Sequence, residues 1–244
     1  MSSGPDRPRP PVWVLACGGA LVVAAALAAV TFATGRGSGS FASPPPPVVT
    51  PVPTAPAATP WDLVPGAVPT RVVISTLGVD AAVVTYTVEQ AQKATDTLTG
   101  EPCYRDGVIT CINPPTAADV YWQQGGIAGV AYGAMAGTDA QSNIYLVAHA
   151  GEPSMRAVFS DLYQLSAGDV VDVATVNGTL TYTVTDVITV DKGAYTSVPE
   201  VTTQVPGRLL LVTCNHAPGA DLRGGISLQN VVVVAQLEGA REAS

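Results

Sequence analysis

Residues Val170 to Val190, VVDVATVNGTLTYTVTDVITV, place β-branched and polar residues in alternation on either side of Asn177-Gly178. β-Branched side chains suit a pleated surface, and Asn-Gly supplies the positive-φ pair that a two-residue hairpin needs. The stretch predicts strands at Val170–Val173, Thr179–Val184 and Val187–Val190, the first two joined by a tight turn. Similar short runs recur at Arg71–Ile74, Ala81–Val84, Asn143–Val147, Leu209–Val212 and Val231–Val234, punctuated by Gly, Asn or Asp. One helix is predicted over Ala157–Leu165, where Val158, Leu162 and Leu165 recur at helical spacing. Eight strands with few helices predict a mainly β domain over 61–240, a closed or nearly closed barrel. Its length, about 180 residues, is enough for one substantial core.

The segment before this domain has a different composition. Val12 to Thr34 is 23 residues without a charge. As a helix it spans roughly 34 Å, against a hydrocarbon core of about 30 Å. A single transmembrane anchor is therefore predicted, with a cleaved signal peptide as the alternative. Arg7 and Arg9 precede the span and only Arg36 closely follows it, which puts 1–11 in the cytoplasm and the rest of the chain outside. Residues 35–60 read as a Gly/Ser/Pro-rich linker. Eight of the 17 residues from Pro44 to Pro60 are proline, so this part is expected to be a polyproline-like stalk of roughly 50 Å.

Charge excludes one large class of function. The chain carries 11 basic and 19 acidic residues, net −8, with no cationic stripe to displace counterions from nucleic acid. Two histidines and four cysteines make a zinc site built from them a poor fit.

Chemistry has few places to reside. His149 follows the predicted strand ending at Val147, and Cys214 follows the one ending at Val212. Strand ends opening into loops hold reactive groups rigidly outside a core. A thiol nucleophile needs a base or cation beside it, and imidazole is a common one. The plain alternative is a buried apolar cysteine and a hydrogen-bonded histidine.

The surroundings of these two residues resemble the sortase family of cell-surface transpeptidases. Leu211-Val212-Thr213-Cys214 is similar to the TLxTC nucleophile strand. VAHAGEPSMRAVFSDLYQLSAGDVVDV, residues 147–173, resembles the family run of strand, His, loop, short helix and Gly-Asp, with Phe159, Leu162, Gly168 and Asp169 in place. The separation of 65 residues between His149 and Cys214 is of the family's size. Residues 69–84, Val120-Tyr121-Trp122 with the following glycines, Lys192, and Asn230 to Ala235 also match in order. The best fit resembles the class E/F type of high-GC Gram-positive bacteria.

The resemblance implies an eight-stranded sortase-like β-barrel and a membrane-anchored cysteine transpeptidase with its catalytic domain extracellular. Its partners would be surface proteins carrying an LPxTG- or LAxTG-like sorting signal and an amine of a peptidoglycan precursor or pilin. No cofactor is implied, and no nucleic acid. Cys214 would attack the Thr–Gly carbonyl and His149 would serve as acid and base. Trp122 and Thr213 are the candidate substrate contacts and Tyr132 a further groove candidate, with burial in the core the alternative for the two aromatics. His216 is the rival histidine; Asp169 reads as a turn former. Alternatives are a catalytically degenerate surface module and a thiol peptidase that only hydrolyses.

Three departures from the family pattern stand out. Ala148 replaces a common Gly. Residues 85–119 form an insertion before Trp122. Leu228 stands where an arginine is expected. Of the remaining cations, Arg223 is the candidate oxyanion partner, because its loop after Cys214 must fold back to reach the Val231 strand. Cys103 and Cys111, with seven residues between them, are expected to oxidise outside the cell. Two free thiols, or a metal pair lacking further ligands, are the alternatives. A bridge would leave Cys214 as the one unpaired external thiol and set the closed loop near the groove.

Overall fold

The computed structural model describes residues 62–243 apart from 124, 128–129 and 153–154. The predicted cytoplasmic segment, the 12–34 span and the whole 35–60 linker with its stalk lie outside the described residues.

Eight strands close a barrel: β1 (Pro69–Ile74), β2 (Val79–Tyr86), β3 (Val120–Gln123), β4 (Ile144–Val147), β5 (Val170–Thr175), β6 (Gly178–Asp191), β7 (Arg208–Cys214) and β8 (Gln229–Glu242). Around the barrel the order is β1-β5-β6-β8-β7-β4-β3-β2. Two neighbouring pairs are parallel, β2 with β3 and β7 with β4; the others are antiparallel. Parallel neighbours need long crossovers. The one between β2 and β3 is the 85–119 insertion, and the one between β4 and β7 contains β5 and β6.

The count of eight strands stands, but two members differ from the sequence reading. Thr179–Val184 and Val187–Val190 are one strand, β6, whose pairing with β8 shifts register between Val184 and Asp186. The bulge absorbs the Thr185-Asp186 interruption without ending the strand. The eighth strand is β3, whose four residues are all buried and so show no alternation. Asn177-Gly178 does turn β5 into β6, with Thr175 paired to Gly178.

The helix predicted over Ala157–Leu165 is a succession of turns ending in a 3-10 turn at Leu162–Gln164. Its bonds run i to i+3: Ser160 N–H to Ala157 O, Leu162 N–H to Phe159 O and Leu165 N–H to Leu162 O. The Ser160 hydroxyl accepts from Ala157 N–H and donates to carbonyls of Ala150 and Ala157, competing with α-helical pairing. With those backbone groups engaged by the Ser160 side chain, the segment closes successive single turns. The described α-helices are instead α1 (Val88–Lys93) in the insertion and α2 (Pro199–Thr202). A capping box starts α1: Thr87 Oγ1 accepts from Gln90 N–H at 3.2 Å and Gln90 Oε1 from Thr87 N–H at 2.8 Å.

The pleat sorts β7 between two cores. Leu209 and Leu211 point into the barrel with Leu146, Val173, Leu180, Tyr182 and Val233. Leu210 and Val212 point outward with Tyr145, Val147, Val232 and Val234, where Tyr195 and Val201 from residues 192–202 cover them. Each fully buried Leu or Val stabilises the fold by about 1.5–3 kcal/mol. The Tyr182 hydroxyl lies inside the barrel with no hydrogen-bond partner among the described residues, and burial pushes its pKa up. An unpaired buried hydroxyl costs roughly 1–3 kcal/mol. Tyr182→Phe is therefore expected to leave the fold intact and raise the melting temperature in a thermal unfolding scan; a clear fall would show that the hydroxyl is satisfied.

Candidate active site

Pairing of β7 with β4 is parallel, with Val212 beside Val147. Cys214 and His149 each lie two residues further on. The strand ends therefore deliver thiol and imidazole to the same groove. Period-two pleating gives Cys214 the outward direction of Leu210 and Val212, and the same parity carries Tyr145 and Val147 on to His149. The junction is pinned where the strands part: Thr213 Oγ1 donates to Ala148 O at 2.8 Å and Ala148 N–H to Val212 O at 3.1 Å.

Both residues line a groove of about 210 Å³, walled on one side by Asp96, Thr97 and Thr110 to Pro114 of the insertion, and on the other by Lys192, Tyr195 and Asn230. A second cavity of about 380 Å³ continues past the same Cys214, His149 and Lys192 toward Met155, His216 and Gly225 to Ser227. The groove crosses the thiol and has apolar walls at Ile112, Val147 and Val212, which suits an extended peptide.

Cys214 is half-buried and is the free cysteine of the described residues. Lys192 Nζ lies 3.4 Å from its sulfur. Lys192 begins a 3-10 helix, Lys192–Ser197, at the end of β6, and its backbone N–H bonds Leu228 O on the approach to β8. The order β6-β8-β7 thus brings the ammonium over the start of β8 to the thiol. His149 Nε2 lies 2.7 Å from the carbonyl of Pro114, and Phe159 N–H holds the His149 carbonyl at 3.1 Å.

The other sequence candidates divide. Thr213 lines the groove, but it is buried and its hydroxyl is spent on Ala148. Trp122 is not at the groove: it is 1% exposed in the barrel core and donates its indole N–H to Ala134 O at 3.1 Å. Its parity on β3 turns it inward while Tyr121 faces out. Tyr132 lies in the strand Val130–Tyr132, of which only the backbone is described. His216 reaches the second cavity and bonds the Gly151 carbonyl through Nδ1. Asp169 closes its own turn, accepting from Ser166 N–H and Thr76 Oγ1, and these bonds hold its carboxyl below the usual range.

Arg223 sits exposed on a small hairpin, Leu222–Arg223 against Ile226–Ser227, whose second arm lines the cavity. Arg71, Arg105 and Arg156 are occupied by Asp80, Glu101 and Asp161, and Arg208 by the Glu200 carbonyl. In the sequence Lys192 is a position that matches the family order, with no role attached to it. Its position becomes significant only when β6 and β7 are known to flank β8.

The insertion is bridged by Cys103–Cys111, with Cα atoms 4.7 Å apart. Ala91 and Ile109 anchor it on Tyr86 and Tyr121, whose rings meet edge to face at 6.1 Å.

The structure thus places a thiol and an imidazole on one groove at the ends of parallel strands of a closed eight-stranded barrel. The sequence matches the sortase domain family over residues 72–238, and the chain belongs to that family of cysteine transpeptidases. Similar solved structures include sortase A of Listeria monocytogenes, with 16% identity over 75% of this chain and 91% of that one and a TM-score of 0.45. Sortase C-1 of Actinomyces oris shows 19% identity over 69% and 72%, TM-score 0.44. Streptococcus pneumoniae sortase C shows 16% identity over 71% and 67%, TM-score 0.45. No curated protein sequence matches the chain.

Gly151 fixes the loop leaving His149. It has φ +71°, and a Cβ there would lie 2.4 Å from Met155 O and 2.6 Å from Ala157 N. Gly151→Ala is expected to cost roughly 1–3 kcal/mol in backbone strain and to lower both melting temperature and turnover. Unchanged values for both would mean that the loop relaxes freely.

Proposed function

We propose that the protein is a membrane-anchored transpeptidase of the class E/F kind that cleaves an LPxTG- or LAxTG-like sorting signal at Cys214. The observation that carries this reading is the register of β7 on β4, which sets Cys214 and His149 on one groove with Lys192 against the sulfur. Cys214 passes its proton to His149 as Sγ attacks the Thr–Gly carbonyl carbon, forming a tetrahedral oxyanion. The C–N bond breaks as His149, as imidazolium, gives its proton to the departing glycine amine, leaving a thioester on Cys214. An incoming amine attacks that thioester and passes its proton to the now neutral His149; the C–S bond breaks with the sulfur leaving as thiolate, which regains its proton from His149. A cell-wall precursor or pilin amine is the acceptor, and the 12–34 span holds the domain on the outer membrane face beside such acceptors.

Two cations take different parts. Lys192 supports the sulfur through a charge-assisted contact. Arg223, on the hairpin beside the cavity and without a carboxylate partner among the described residues, donates to the substrate and its oxyanion. A planar guanidinium can make two directed bonds there that an ammonium cannot.

Cys214→Ala is expected to stay folded and to lose cleavage of an LPxTG-type peptide entirely. His149→Ala should lose most activity while His216→Ala keeps much of it; the reverse ranking transfers the acid–base role to His216. Arg223→Ala should slow acyl-enzyme formation by roughly 10²–10³-fold, with Arg223→Lys also impaired. A near-normal rate in Arg223→Ala would leave the oxyanion to Lys192, Asn230 or backbone donors.

A further inference from the structure

We propose that the disulfide-closed insertion orients His149, with the Pro114 carbonyl as the group that fixes its tautomer. The inference rests on His149 as the acid–base group and adds which ring nitrogen does the work. A peptide carbonyl can only accept, so the 2.7 Å contact requires the hydrogen to be on His149 Nε2. In the neutral ring Nδ1 then holds the lone pair, and it has no hydrogen-bond partner among the described residues. Nδ1 is the nitrogen left to exchange a proton with the leaving and incoming amines. Pro114 thereby acts as a positioning residue through its backbone, in the place where a carboxylate or amide side chain orients the imidazole of other nucleophile–histidine pairs.

The carbonyl is useful only if its position is fixed, and the insertion supplies that. Pro114 follows the bridged Cys111 by three residues. Between them, Ile112 packs against both the outer barrel cluster and the insertion's own cluster. Asn113 donates through Nδ2 to Thr95 O at 3.0 Å and through its backbone N–H to Tyr86 Oη at 3.4 Å. Thr110 N–H bonds Cys103 O at 2.8 Å across the bridged loop. The same segment that walls the groove therefore sets the imidazole, coupling the insertion to the rate of chemistry as well as to peptide choice.

The chain has two histidines, so ¹⁵N spectra of the full-length protein labelled at histidine can be assigned with the single variant His216→Gln. Without substrate, His149 is expected to show the Nε2–H tautomer. In Cys103→Ser/Cys111→Ser, checked for an intact barrel by near-ultraviolet circular dichroism, that signature should give way to a tautomer mixture. Its kcat should fall roughly 10²-fold, the scale of misplacing a catalytic group by about 1 Å. Asn113→Ala should shift the tautomer in the same direction, less far, and serves should the double variant not fold. An Nδ1–H signal in the unsubstituted protein, or an unchanged tautomer in both variants, overturns the proposal. Because the spectrum is read without turnover, loss of the transpeptidase reading, as by activity surviving in Cys214→Ala, is a separate result.

Discussion

Everything at the groove depends on one parallel contact, β7 against β4 in the register that sets Val212 beside Val147. A shift of one residue would turn Cys214 inward and bury Leu210 and Val212 on the wrong face, because side chains alternate with period two. The register is held by apolar burial on both sides of β7, with Leu209 and Leu211 in the barrel and Leu210 and Val212 under the Tyr195–Val201 cover. Polar bonds then act where the strands end: the Thr213 hydroxyl on Ala148 O closes the pair, and the chains part immediately afterward, at His149 and beyond Cys214. The threonine before the cysteine thus fastens the site from behind.

Closure of the barrel supplies the remaining participants. Since β8 lies between β6 and β7, the residue that ends β6 is one strand removed from Cys214, and Lys192 spans that distance. Since β2 and β3 are parallel, the chain must cross the barrel between them, and the crossover passes the groove. A bridged, capped insertion makes that obligatory crossing into a wall with a fixed carbonyl at His149. Groove and scaffold are consequences of the same topology.

The barrel was legible in the sequence because most of its strands are β-branched and end in Gly, Asn or Asp, and because Asn177-Gly178 names its own turn. β3 escaped as a strand since Val120 to Gln123 is buried on both faces and has no period to read. The split of β6 at Thr185-Asp186 was a bulge, which resembles a turn locally and is resolved only by the thirteen paired positions along β8. The helix expected at Ala157–Leu165 had the right apolar spacing, and Phe159, Leu162 and Leu165 are indeed buried, but Ser160 diverts the backbone bonds. The Thr87–Gln90 capping box that starts α1 is, by contrast, a signal written in the sequence itself. At the site, strand ends marked Cys214 and His149 and the family resemblance selected them, whereas neither signal points to the contacts of Lys192 and Pro114 with sulfur and imidazole, which arise from neighbours remote in sequence. Trp122 illustrates the reverse: an aromatic that the sequence offers as a groove residue and that strand parity sends into the core.

The central claim, that this register creates a nucleophilic thiol for acyl transfer, is tested most directly by mass spectrometry of the full-length protein incubated with an LPxTG-type peptide. The account predicts an acyl adduct ending in the threonyl residue, mapped to Cys214, that disappears into an amide product when an amine is added. A folded protein that cleaves the peptide with no adduct at Cys214, or one that carries the adduct elsewhere, would contradict it.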